Sequence, residues 1–131
     1  IDLDTVMPGL CAYDFGDAIR YGASTAAEDE RDLSRVNLSL SLYRAYAEGY
    51  LSEVGNVLTG EELRSLPVGA KMMTLETGVR FLTDYLDGDV YFKVACPDHN
   101  LVRARTQLKL LQDMDAHWDE MVSVIGELAG R

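Results

Sequence analysis

Two cysteines are all that 131 residues hold, and that scarcity closes off a class of protein. Cys11 and Cys96 stand far apart and form no C-x-x-C pair, which excludes a disulfide-stapled scaffold and a zinc ribbon. They read as small apolar residues in a reduced, cytoplasmic compartment. No run approaches eighteen apolar residues, so no membrane-spanning helix is expected. Basic residues are also in short supply: twelve Lys and Arg stand against twenty-two Asp and Glu, a net charge of −10. Such a chain lacks the basic footprint that nucleic acid or an anionic membrane requires. G-x-S-x-G, H-E-x-x-H, G-x-G-x-x-G and Walker-type loops are missing. Cys96-Pro97 does not continue into a sulfatase nucleophile pattern.

What is present suffices for one compact domain over 1–131, since 47% of the residues are hydrophobic and a chain of this length can bury a core. Its opening, Ile1-Asp2-Leu3-Asp4-Thr5, alternates apolar and acidic residues, the pattern of a strand. Asp2 and Asp4 then share a face, roughly 7 Å apart. Two hard oxygen ligands on a strand end, followed by Pro8-Gly9, suit Mg²⁺ beside a phosphate-bearing substrate; a strand edge with solvated acids is the plain alternative. Because residue 1 falls inside this strand and no targeting peptide is visible, the expectation is the C-terminal part of a longer chain.

Helical periods dominate the remainder. Residues 12–22 form a short amphipathic segment with Phe15, Ala18, Ile19 and Gly22 on the buried stripe. A polar loop over 23–35 leads to a helix over 37–54, with Leu38, Leu42, Ala45, Tyr46 and Gly49 inward and Gly55 ending it. Thr59-Gly60-Glu61-Glu62 is a capping box, starting a helix of one or two turns that stops before Pro67. Val68–Asp87 is the next helix, closed by Gly88, with Met72, Leu75, Val79, Leu82 and Leu86 as its buried stripe. A connection over 89–98 precedes one long helix over 99–128, whose apolar side carries Leu101, Leu108, Leu111, Met114, Trp118, Val122 and Ile125.

Three residues on the Val68–Asp87 helix, Glu76, Arg80 and Asp84, recur every four positions and form a polar stripe. As a surface ladder each pair contributes only ~0.3–0.5 kcal/mol. Facing a cleft, the same stripe offers a guanidinium fork and a carboxylate for the hydroxyls and amide of a small polar molecule. Tyr91 adds a hydroxyl and an aromatic face suited to a sugar. Asp14, between Tyr13 and Phe15, reads as a buried cap that pins a loop. His99 and His117 have no partner at metal-ligand spacing and read as structural.

Three segments, I-D-L-D-T-V-M-P-G, Y-D-F-G-D-A-I-R-Y-G-A and G-V-R-F-L-T-D-Y-L-D-G-D-V-Y-F, together resemble the aminoglycoside-phosphotransferase-like kinases, and within them the N-acetylhexosamine 1-kinases. The resemblance implies a mostly α piece: the helical C-terminal subdomain of a protein-kinase-like fold with a remnant β-strand at its start. It implies a parent enzyme that transfers the γ-phosphoryl of ATP to the anomeric hydroxyl of GlcNAc or GalNAc. Asp2, with Asp4 beside it, would hold Mg²⁺ against the nucleotide. Arg80, Asp84 and Tyr91 would line the sugar pocket, and Asp14 would be the structural aspartate bracing the catalytic loop. The His-x-Asp-x-x-x-x-Asn loop that supplies the base, and the nucleotide-binding lobe, are expected upstream of Ile1, so this piece alone is expected to be inactive. Within the same fold a choline, aminoglycoside or homoserine-type kinase is the alternative, though Arg80 on the pocket stripe disfavours a cationic substrate. A non-catalytic helical interaction module is the alternative from another class. Apolar residues freed by the missing lobe (Leu3, Val6, Met7, Leu10 and Phe15) are expected to drive self-association.

Overall fold

In the computed structural model the described residues are 6–130. They form five α-helices: α1 (Cys11–Gly22), α2 (Leu40–Val54), α3 (Gly60–Leu86), α4 (His99–Ala116) and α5 (Trp118–Ala129), with a 3₁₀ turn at Leu33–Arg35. Among the described residues the only β-type pairing is an isolated antiparallel bridge between Ser24 and Leu38, so the chain is mostly helical. The expected opening strand lies outside the described residues. No helix among them is long and apolar enough to cross a membrane.

The long helix α3 packs most extensively against α1 and α4, and α5 bridges α2 and α3. Phe15 and Ile19 of α1 enter the core with Tyr43 of α2, Leu66 of α3, Met114 of α4 and Met121 of α5. Phe15 meets Tyr43 edge-on at a centroid distance of 6.0 Å. The buried Tyr43 hydroxyl donates to the Met121 carbonyl at 3.2 Å, tying α2 to α5 and leaving no lone phenol in the interior.

Helix α1 follows its sequence pattern in part: Phe15 and Ile19 are buried, but Ala18 is half-buried and Gly22 exposed, and Ala12 and Gly16 complete the inward side. Elsewhere the structure corrects the expected faces. Helix α2 begins later, capped by the Ser39 hydroxyl on the Leu42 amide, and it buries Tyr43 and Ala47 while Leu42 and Tyr46 stay exposed. The capping box at Thr59 and Glu62 forms, yet the helix does not stop before Pro67: it runs unbroken to Leu86. Proline removes one ladder donor and crowds the preceding turn, but here its ring is buried and packing on both sides of it carries the helix through. The expected single last helix breaks at His117 (φ −105°, ψ 21°), which separates α4 from α5. Leu108 and Val122, expected inward, are exposed.

The largest correction concerns α3. Met72, Leu75, Val79, Leu82 and Leu86 are between 36% and 74% exposed. Its buried side consists of Leu66, Pro67, Gly69, Ala70, Thr74, Gly78, Phe81 and Asp84. Glycine sets this orientation. A Cβ on Gly69 would run into the Ala12 backbone, and one on Gly16 into the Gly69 backbone, so α1 and α3 touch main chain to main chain, where larger side chains have no room.

The loop over 23–38 is stitched to α4. Arg31 grips both carboxylate oxygens of Asp98 at 2.8 Å, the Thr106 hydroxyl donates to the Glu30 carbonyl at 3.1 Å, and the Leu38 amide donates to Asp113 at 2.7 Å. Arg31 holds the Asp98 carboxyl well below the usual range, helped by the Cys96 thiol.

Candidate functional site

Helix α3 ends at Leu86, and the chain reverses through Gly88 (φ +92°) and Asp89 (φ +59°). Two consecutive left-handed residues fold the next strand of chain back along the last turn of the helix; glycine takes that conformation freely and aspartate tolerates it. The returning segment 90–92 is fastened to Asp84. That side chain is 4% exposed. Its Oδ1 accepts from the amides of Val90 (3.0 Å) and Tyr91 (2.7 Å), and its Oδ2 from the amide of Phe92 (2.9 Å) and the carboxamide of Asn100 (2.8 Å). Burial pushes the Asp84 carboxyl up, but these four donors outweigh it and hold it below the usual carboxylate range.

Asn100, fully buried at the start of α4, also donates to Asp89 at 2.9 Å. Arg103 in turn donates to the Asn100 carbonyl oxygen and to the backbone carbonyl of Lys93, both at 3.2 Å. The clasp presents Tyr91 to Arg80. The Arg80 guanidinium donates to the Tyr91 hydroxyl at 3.4 Å and lies over the rings of Tyr91 (5.5 Å) and Phe92 (5.4 Å). Arg80, Asp84 and Tyr91, expected to act together, do converge: all three line an open hollow of about 320 Å³, with Val79, Thr83 and Phe92. Glu76, the first member of the polar stripe, approaches Arg80 only at 3.7 Å and is exposed.

Their parts differ. Arg80 and Tyr91 are exposed and carry free donor and acceptor capacity at the mouth of the hollow. Asp84 has both oxygens engaged, so it builds the wall. Asn100, Asp89, Phe92 and Arg103 escape a reading of helix faces because their bonds join α4 to the turn and, through Asp84, to α3. The Asp87-Gly88-Asp89 run, downstream of an acid on the buried side of a helix, is the one local hint of a pinned reversal.

Other expected residues fall elsewhere. Asp2 and Asp4, the expected Mg²⁺ ligands, and Leu3 lie outside the described residues. Asp14 is exposed in the first turn of α1 and is no buried cap, because Ala12, Phe15 and Ile19 occupy the inward side. Of the residues expected to be laid bare, Val6, Met7 and Leu10 are exposed, whereas Phe15 is fully buried between α1 and α2. His99 joins Asp29 at 3.2 Å and accepts the Ala95 amide at 3.0 Å, a bracing position. No protein-family model matches the chain.

Proposed function

We propose that this chain is the C-terminal helical part of an ATP-dependent sugar kinase with an aminoglycoside-phosphotransferase-like, protein-kinase-like fold. Its parent phosphorylates the anomeric hydroxyl of an N-acetylhexosamine, GlcNAc or GalNAc. One observation carries the reading: the segment with the most specific resemblance, G-V-R-F-L-T-D-Y-L-D-G-D-V-Y-F, closes on itself into a hollow with Arg80 and Tyr91 at its mouth. A guanidinium fork and a phenol on an aromatic floor suit vicinal hydroxyls and the apolar face of a sugar ring. A fixed guanidinium at the same place disfavours a choline-like cation.

In this reading Arg80 and Tyr91 bind and orient the sugar, and Asp84 fixes the segment that carries Tyr91. Phosphoryl transfer depends on positioning and on neutralising the charge of the transferred group. Asp2 and Asp4 are the proposed holders of Mg²⁺, which would neutralise the phosphates of ATP, and the general base belongs to the preceding part of the parent. The exposed apolar stripe of α3 supports the same reading, since an apolar face left uncovered by its own helices fits against another part of a larger fold. Arg80→Ala in the full-length parent should raise the sugar KM at least about tenfold, the worth of one charge-assisted hydrogen-bonding group. The ATP KM should stay within a factor of two or so, because the loss is confined to sugar binding. Equal effects on both would return Arg80 to the surface ladder.

A further inference from the structure

Four of the chain's twelve basic residues, Arg20, Arg80, Lys93 and Arg103, line a single hollow of about 450 Å³ with walls from α1, α3 and α4. Only three acids, Asp17, Glu28 and Glu76, line it with them, although in the whole chain acids outnumber basic residues by twenty-two to twelve. Like charges brought together repel, and a concavity that keeps them together concentrates counter-charge there.

The acids do not balance the four cations. Asp17 and Glu28 both bind Arg20, at 2.9 and 2.8 Å. Glu28 stands 3.9 Å from Arg103, and Glu76 stands 3.7 Å from Arg80. Arg103 donates to the oxygens of Lys93 and Asn100, which are neutral. The Lys93 ammonium has no partner among the described residues. Arg103 and Lys93 thus carry charge that no carboxylate answers at close range.

Two aromatic rings hold the guanidinium groups in place. Phe92 and Phe81 stand 4.7 Å apart, with Arg80 5.4 Å from the first and Arg103 5.4 Å from the second. Arg80 and Lys93 are exposed and can touch a ligand. The Arg20 and Arg103 side chains are only 12% and 18% exposed and act mainly through their field, which burial protects from screening by salt.

A guanidinium fork matches phosphate oxygens in pairs, and an ammonium adds a compact point charge. We propose that this hollow binds a phosphate dianion, as orthophosphate or as the head of a small phosphate monoester, with Arg80 and Lys93 as its direct contacts. Such a site stands whether or not the parent phosphorylates a sugar, because it uses only charges carried by this chain.

The test follows nitrogen-15 signals of the 131-residue chain near neutral pH at fixed ionic strength. Orthophosphate should shift the Lys93 amide and the Arg80 Nε–H saturably, whereas chloride at the same ionic strength should not. Lys93 is exposed and its side chain makes no bond, so Lys93→Gln should keep the fold. It should raise the phosphate Kd about three- to tenfold, the worth of one charge-assisted contact at a partly exposed site. Arg105→Gln removes the same charge from an exposed position of α4 outside the hollow. It should change the Kd by less than about twofold, since distant exposed charges are screened. Equal effects of the two variants, or shifts that never saturate, overturn the assignment and leave a general charge effect. Glycerol phosphate distinguishes the sources: tighter binding than orthophosphate assigns the monoester, and equal or weaker binding assigns the free ion.

Discussion

The two sides of α3 are built on opposite rules. The outer side carries Met72, Leu75, Val79, Leu82 and Leu86, large and apolar, and is exposed; the inner side buries Leu66, Pro67 and Phe81 toward its ends and, between them, the small or polar Gly69, Ala70, Thr74 and Gly78. Hydrophobic burial scales with apolar area, so by that measure the stretch over 69–78 faces the wrong way. Close packing decides the matter. Gly16 and Gly69 let α1 and α3 meet at the main chain, and Gly78 admits Gln107 of α4. The Thr74 hydroxyl is satisfied inside the helix by the Ala70 carbonyl at 2.7 Å, which removes the cost of burying it. The middle of a helix can therefore be held by the absence of side chains on one side while a stripe of large apolar residues remains on the other.

That contrast breaks most easily at its tightest point. Gly69→Ala places a methyl against the Ala12 backbone, and neither helix can yield without losing its neighbours. Urea unfolding should record a loss of about 3 kcal/mol, the upper end of overpacking costs, at an unchanged m-value. Gly49→Ala in α2 meets nothing within 4 Å and should instead gain roughly 0.5–1 kcal/mol from helix propensity. Two identical substitutions with opposite signs would establish that contact, and not glycine's flexibility, is what Gly69 contributes. A gain at both would dissolve the comparison.

The polar end of α3 sharpens it. Asp84→Asn replaces an oxygen that accepts backbone amides with a group able to donate, and the clasp on 90–92 should open. Hydrogen exchange at Val90, Tyr91 and Phe92 should accelerate on the order of tenfold or more while Phe15 and Tyr43 stay protected, because local and global opening are separable. The wild type should show a matching pH dependence. Asp84 and Asp98 both titrate below their ordinary value in the fold, so the folded chain holds its protons less tightly than the unfolded one. Their contribution is complete above about pH 4, the unfolded carboxylate range, and is lost as the pH falls through the lower folded values. A fold more stable at pH 3 than at pH 6 would contradict both assignments.

How far the sequence was legible follows the same division. Helix α1 could be read from the spacing of Phe15 and Ile19, and the start of α3 from the Thr59–Glu62 box, because both signals are local. The face of α3 could not, since periodicity weighs large apolar residues and gives no credit to glycines whose value lies in what approaches them. Pro67 failed as a stop signal for a related reason: packing on both sides outweighs a local penalty. At the site, Arg80, Asp84 and Tyr91 could be named from spacing and resemblance. That Asp84 is a wall and that Asn100 holds it could not, because that bond crosses from one helix to another.

The smallest expected effect is the most discriminating for the outer side. Leu75→Lys and Leu82→Lys each remove a large apolar group that is already more than a third exposed. Lysine retains high helix propensity and can lay its methylene stem along the same surface. Each substitution should change stability by no more than about 0.5 kcal/mol, as for surface positions generally. Association should respond far more: contiguous apolar patches promote it, and two added positive charges per chain interrupt the stripe, so sedimentation equilibrium should register a lower average mass for the double variant than for the wild type. If the double variant instead loses as much stability as Gly69→Ala, the outer side is contributing to the fold of the single chain and the two-rule account of α3 is wrong. If stability holds and the mass falls, the outer residues serve a contact with something beyond this set of helices, which is the condition the proposed larger kinase requires.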